Sequence, residues 1–149
     1  LHDVGRLVIL QHLGQLARDT LLLAQNKAEL LSYAEQEVLG FTHAEVGYEL
    51  SKTWRLPQSI CSAIRFHHQP AAADSYRLEA ALVHIGQLMA HNLVWGESPL
   101  DALDEIDGSV WDVTGLSSDD CRRCGSEAGQ QIMAMFSVLM GADNSSNMV

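Results

Sequence analysis

The chain has 149 residues, 47% of them hydrophobic, which is enough to bury one real core. With 19 acidic against 9 basic residues the formal net charge is −10, and no basic cluster is longer than Arg122-Arg123. That balance argues against nucleic acid and against anionic membrane surfaces as partners.

No apolar run approaches the ~20 residues that span a bilayer. The best stretch, LEAALVHIGQLMAHNLVW, is broken by His84, Gln87, His91 and Asn92. The cysteines Cys61, Cys121 and Cys124 are odd in number and sparse, as expected in a reducing cytoplasm. The chain opens on LHDVG with no signal-peptide pattern. Because that opening already reads as the middle of a buried helix, helices of a larger domain are expected before it.

Leu and Ala dominate the apolar set and proline is rare, which favours helix over sheet. LHDVGRLVILQHL reads as a first helix with a break near Gly14. ARDTLLLAQ and KAELLSYAEQEVL follow, the latter stopped by Gly40. Thr42 is placed to cap HAEVGYELSKTW, with Glu45 completing a capping box. LPQSICSAIRFHH is a further helix with Pro57 in its first turn. Pro70 and AAADS read as a loop. YRLEAALVHIGQLMAHNLVW is the longest helix. LDALDEI reads as a short helix and DGSVWDVTGL as a loop or short turn. Ser117 or Ser118 caps a last helix, and residues 141–149 form a polar tail. The expectation is an all-α domain over residues 1–140, with the early helices packed on the long one.

Several side chains carry chemistry. His2 lines up with Arg6 and Ile9, and Asp3 with Leu7 and Leu10. A carboxylate beside that stripe needs a partner, although an Asp at a helix start is also favoured by the macrodipole. His43 heads the line 43, 46, 47, 50 and 54. His67 shares a line with Ile60 and Ile64, and His68 with Cys61 and Ile64. A core histidine is more often hydrogen-bonded than metal-bound. Still, imidazoles and a carboxylate converging from different helices are how metal sites in helical bundles are built. Glu35 and Glu37, just before Gly40, are placed to orient a histidine or to sit on a helix surface. His84 reads as a supporting or surface residue, Cys61 as core. A single CxxC, Cys121 to Cys124, does not make a zinc site.

Taken together, LHDVGRLVILQ, AEQEVLGFTHAEVGYELSKTWRLPQSICSAIRFHHQP and LEAALVHIGQLMA resemble the HDOD domain. The likeness covers residues 1–95 closely and the last helices loosely. HDOD domains are relatives of the HD and HD-GYP metal-dependent phosphohydrolases and occur in bacterial signalling proteins. The resemblance implies a multi-helix HD-like bundle that lacks its N-terminal helices here. It implies His2, Asp3, His43, His67 and His68 as metal-ligand positions, with Arg6 near substrate phosphate. The metal would be manganese, iron or magnesium.

The departures from the catalytic pattern are as informative. Gln87 stands where the relatives close the site with Asp, and QPAAADS replaces the segment that follows the paired histidines. An upstream ligand has no counterpart in the chain. The site is therefore incomplete. The function expected is a non-catalytic regulatory module of HDOD type, cytoplasmic, acting through protein partners or a bound ligand. The alternative is a metal-dependent phosphohydrolase of a nucleotide or cyclic dinucleotide, for which two metals would activate water.

Overall fold

A computed structural model describes residues 1–25, 28–95, 103 and 106–141. Every regular element among the described residues is helical. The elements are α1 (Val4–His12), α2 (Gly14–Leu23), α3 (Ala28–Leu39), α4 (His43–Thr53), α5 (Gln58–Phe66), a short 3-10 turn (Pro70–Ala72), α6 (Arg77–Trp95), α7 (Gly108–Thr114) and α8 (Ser118–Gly141). The chain divides into two compact units, Leu1–His84 and Ile85–Val149.

In the first unit α4 packs on both α1 and α5, and α2 packs on α3. The α1–α4 contact depends on absent side chains. A Cβ on Gly5 would lie 2.0 Å from the His43 carbonyl oxygen and 2.8 Å from the Gly47 nitrogen. One on Gly47 would lie 2.9 Å from the Ile64 side chain. Backbone therefore meets backbone, and the start of α1 is drawn against the first turn of α4. Ala44, Ala63, Ile64, Ala80 and Ala81 are buried in this unit. Ala24, Leu31 and Ala34 form a separate small cluster between α2 and α3.

Local signals explain most of the boundaries. Gly40 ends the turn after α3 with φ +77, a conformation that favours glycine. Thr42 and Glu45 form the complete capping box read from the sequence. The first break falls at Leu13, whose φ of −122 leaves the helical range, and Gly14 opens α2. Pro57 stands at the N-cap of α5 with ψ 145, one position before the first turn expected for it. The last helix starts at Ser118, and Ser117 and Asp120 exchange hydrogen bonds ahead of it.

Two expectations are corrected. DGSVWDVTGL contains a helix, α7, because the Asp107 carboxylate accepts from the Ser109 N–H and Gly115 closes it with φ +65. The buried face of α4 is His43, Ala44, Gly47 and Ser51, a rotation from the line drawn through Val46, Leu50 and Trp54; Trp54 is 51% exposed. The small residues face inward because α1 and α5 approach too closely for Trp. The short helix expected at LDALDEI and the polar tail fall, apart from Leu103, Ile106 and Gly141, outside the described residues.

A histidine and carboxylate centre in the first unit

Asp3, at the N-cap of α1, meets His43, the first residue of α4, and His67, which follows α5; His68 lies against both histidines. The Asp3 Oδ1 lies 3.3 Å from His43 Nε2 and 3.7 Å from His67 Nε2. These are ion-pair distances without hydrogen-bond alignment, and Oδ1 is buried with no hydrogen-bond partner. His68 Nε2 is 3.0 Å from His43 Nε2. The rings of His67 and His68 are 4.1 Å apart between centroids. One nitrogen from each of His43, His67 and His68 falls within 4.8 Å of the others.

Each imidazole is oriented from behind. His67 Nδ1–H donates to the Ile64 carbonyl at 2.7 Å. A carbonyl only accepts, so the proton sits on Nδ1, and His67 Nε2 is buried with no hydrogen-bond partner. His84, on α6, donates from Nδ1 to the His67 carbonyl at 2.7 Å, so it supports the backbone of a site residue. His43 Nδ1–H donates to Glu35 Oε2 at 2.5 Å. Glu35 belongs to α3 and is buried. The helix–Gly40–helix turn brings it beside His43, which answers the choice left open for it in the sequence. Glu37 has no such place.

Charge follows from this packing. Burial works against the Asp3 carboxylate. The N–H groups of His2 and His43 and the Arg6 charge outweigh it and hold the carboxyl far below its usual range. Burial likewise opposes a charged His43, but Asp3 and Glu35 raise it. Burial pushes His67 down to about 4, against its bond to Ile64, with the His43 charge adding to the fall. Burial and then the charges of His67 and His43 push His68 down to about 3. The carboxylates on either side of His43 thus favour its charged form, while burial keeps His67 and His68 neutral.

His2 stands at the rim. Its Nε2 is 3.4 Å from Asp3 Oδ2, and its ring meets His67 edge-on at 5.1 Å. Arg6 Nη1 is 3.1 Å from the same Asp3 oxygen, while its Nε and Nη2 are buried without hydrogen-bond partners. Leu7 and Leu10, drawn on the line through Asp3, are exposed. Gln87 lies one turn beyond His84 along α6, in the second unit. Asp104 lies outside the described residues. A cleft of about 570 Å³ reaches His68 and is lined also by Ser32, Tyr33, Arg65, Phe66 and Gln69.

The donor set fits a divalent cation. Asp3 Oδ1 and His67 Nε2 are buried without an aligned hydrogen-bond partner among the described residues, and His43 and His68 lie beside them. Three imidazoles to one carboxylate suit iron, zinc or manganese better than magnesium.

Along the chain these residues come in the order His-Asp, His, His-His. Over residues 1–70 the chain matches the family model of the HDOD domain. The HDOD match takes in Asp3, Glu35, His43, His67 and His68 and ends before α6, short of the 95 residues over which the likeness was read. Over 62 residues the chain is 34% identical to an uncharacterized protein of Treponema pallidum, covering 41% of this chain and 12% of that one. The chain therefore corresponds to a small part of that relative. No solved structure matches the chain.

Proposed function

We propose that this chain is a non-catalytic signal-transduction module of HDOD type, in which Asp3, His43, His67 and His68 hold a single divalent metal. The observation that carries the reading is the donor set itself. Three imidazole nitrogens lie within 4.8 Å of one another, and the one carboxylate oxygen beside them, Asp3 Oδ1, is 3.3 Å from His43 and 3.7 Å from His67. Hydrolysis by two metals needs further carboxylates to bridge the pair. At the position where the catalytic relatives supply one, this chain has Gln87, a neutral amide. The metal would pin α1, α4 and the end of α5 to one another. The module then works in the cytoplasm by contact with protein partners or a ligand. Among the described residues no helix is long and apolar enough to cross a membrane.

One observation favours the phosphohydrolase reading. Arg6 keeps two buried nitrogens without hydrogen-bond partners beside Asp3, a suitable neighbour for a phosphate oxygen. The two readings separate in one assay. Protein loaded with manganese or iron is mixed with nucleoside phosphates, cyclic dinucleotides and a chromogenic phosphodiester. The module reading expects no turnover above that of a His67→Ala, His68→Ala variant. Metal-dependent turnover lost in that variant establishes the enzyme instead.

A further inference from the structure

We infer that Glu35 is a positioning residue for this centre: it holds His43 in the Nδ1–H tautomer, so that Nε2 presents its lone pair to a metal. The inference rests on the single-metal reading above and names the residue that prepares the site.

The geometry is specific. Glu35 is 2% exposed. Its Oε2 accepts from the His43 backbone N–H at 2.8 Å and from His43 Nδ1–H at 2.5 Å. One oxygen therefore holds the same residue by main chain and by ring, and the ring cannot turn without losing the second bond. Burying a carboxylate is costly unless it is used. The box of Thr42 and Glu45 leaves the His43 N–H to Glu35, but capping that N–H calls for an acceptor and not for a charge. A neutral acceptor would satisfy the backbone N–H equally well.

What a carboxylate adds is charge behind the imidazole. It fixes the tautomer and raises the basicity of the far nitrogen. His43 Nε2 is that far nitrogen, and it faces Asp3 Oδ1 and His68 Nε2. The contrast with His67 sharpens the point. His67 is held from behind by a neutral carbonyl, so His43 is the imidazole made the stronger donor.

The test is zinc titration of the full chain and its Glu35→Gln variant, with Glu45→Gln as control. The Gln oxygen can still accept both N–H groups, so the metal-free melting temperature should stay near that of the wild type. Zinc affinity should fall roughly 10- to 100-fold, the usual effect of removing a carboxylate behind a ligating histidine, and Glu45→Gln should bind as the wild type does. Wild-type affinity in Glu35→Gln overturns the inference and leaves the single-metal reading standing. A wild-type chain that takes up no zinc overturns both. Should Glu35→Gln fail to fold, imidazole ¹⁵N spectra of the zinc-loaded wild type decide the matter. A proton on His43 Nδ1 with zinc on Nε2 is expected; the reverse arrangement overturns the inference.

Discussion

His67 and His68 are neighbours in the chain, and both are neutral in the folded protein. Each titrates near 6.5 in an unfolded chain, and folding lowers them to about 4 and about 3. Between those limits the unfolded state binds more protons, so stability is lost as the pH falls from 6.5. His43 is shifted upward, and its contribution has the opposite sign: present below 6.5 and lost as the pH rises through its folded value. Asp3 is lowered from 3.8, and its loss begins only beneath that value. Two lowered histidines against one raised leave acid destabilisation dominant. The urea midpoint should therefore be lower at pH 5 than at pH 7, and His68→Gln should shrink the difference. A midpoint that rises toward pH 5 would refute this assignment of charges. Asp3, His43, His67 and His68 were singled out in the sequence by residue type and by the resemblance, although the lines drawn through Asp3 and His43 were not the buried ones. The rim position of His2 was not, since it depends on where α1 begins. The use made of Glu35 was only half legible: its nearness to Gly40 was visible, but its burial depends on how α3 folds back.

The helices were legible wherever a local signal fixed them. Gly40, the Thr42–Glu45 box and the serine ahead of α8 act within a few residues, and each is where the sequence put it. α7 was missed because a seven-residue helix has too few turns to show a period, and only Asp107 and Gly115 mark its ends. The rotation of α4 was missed because close packing of α1 and α5 selects glycine and serine for the inner face, against hydrophobicity. That packing gives a direct test. Gly5→Ala places a Cβ on backbone that cannot retreat, and it should cost roughly 3 kcal/mol or more, the upper end for overpacking. Gly14→Ala meets nothing within 4 Å and should stay within about 1 kcal/mol of wild type. Chemical denaturation of the two variants checks the pair; equal stabilities would mean that α1 and α4 do not approach through Gly5. Gly5→Ala should also lose metal, because it pushes Asp3 away from His43.

At the scale of the whole molecule, the net charge of −10 sets what the surface can meet. At about 0.15 M salt the chain should not retard duplex DNA or single-stranded RNA in a gel at micromolar protein, because too few cations face the phosphates to release counterions. A retarded band that weakens with added salt would contradict this. The HDOD match and the histidine centre both lie in the first unit, and the centre draws on α1, α3, α4 and the residues after α5. Such a centre acts as a tie among helices whether or not it turns anything over. The measurement that tests this account most directly is elemental analysis of protein from cells grown with added manganese and iron, purified without chelator. The account predicts close to one metal ion per chain, lost when His67 and His68 are both changed to Ala, with no phosphoester hydrolysis. No bound metal, together with a melting temperature that manganese, iron and zinc leave unchanged, would contradict it, and so would two ions per chain with turnover.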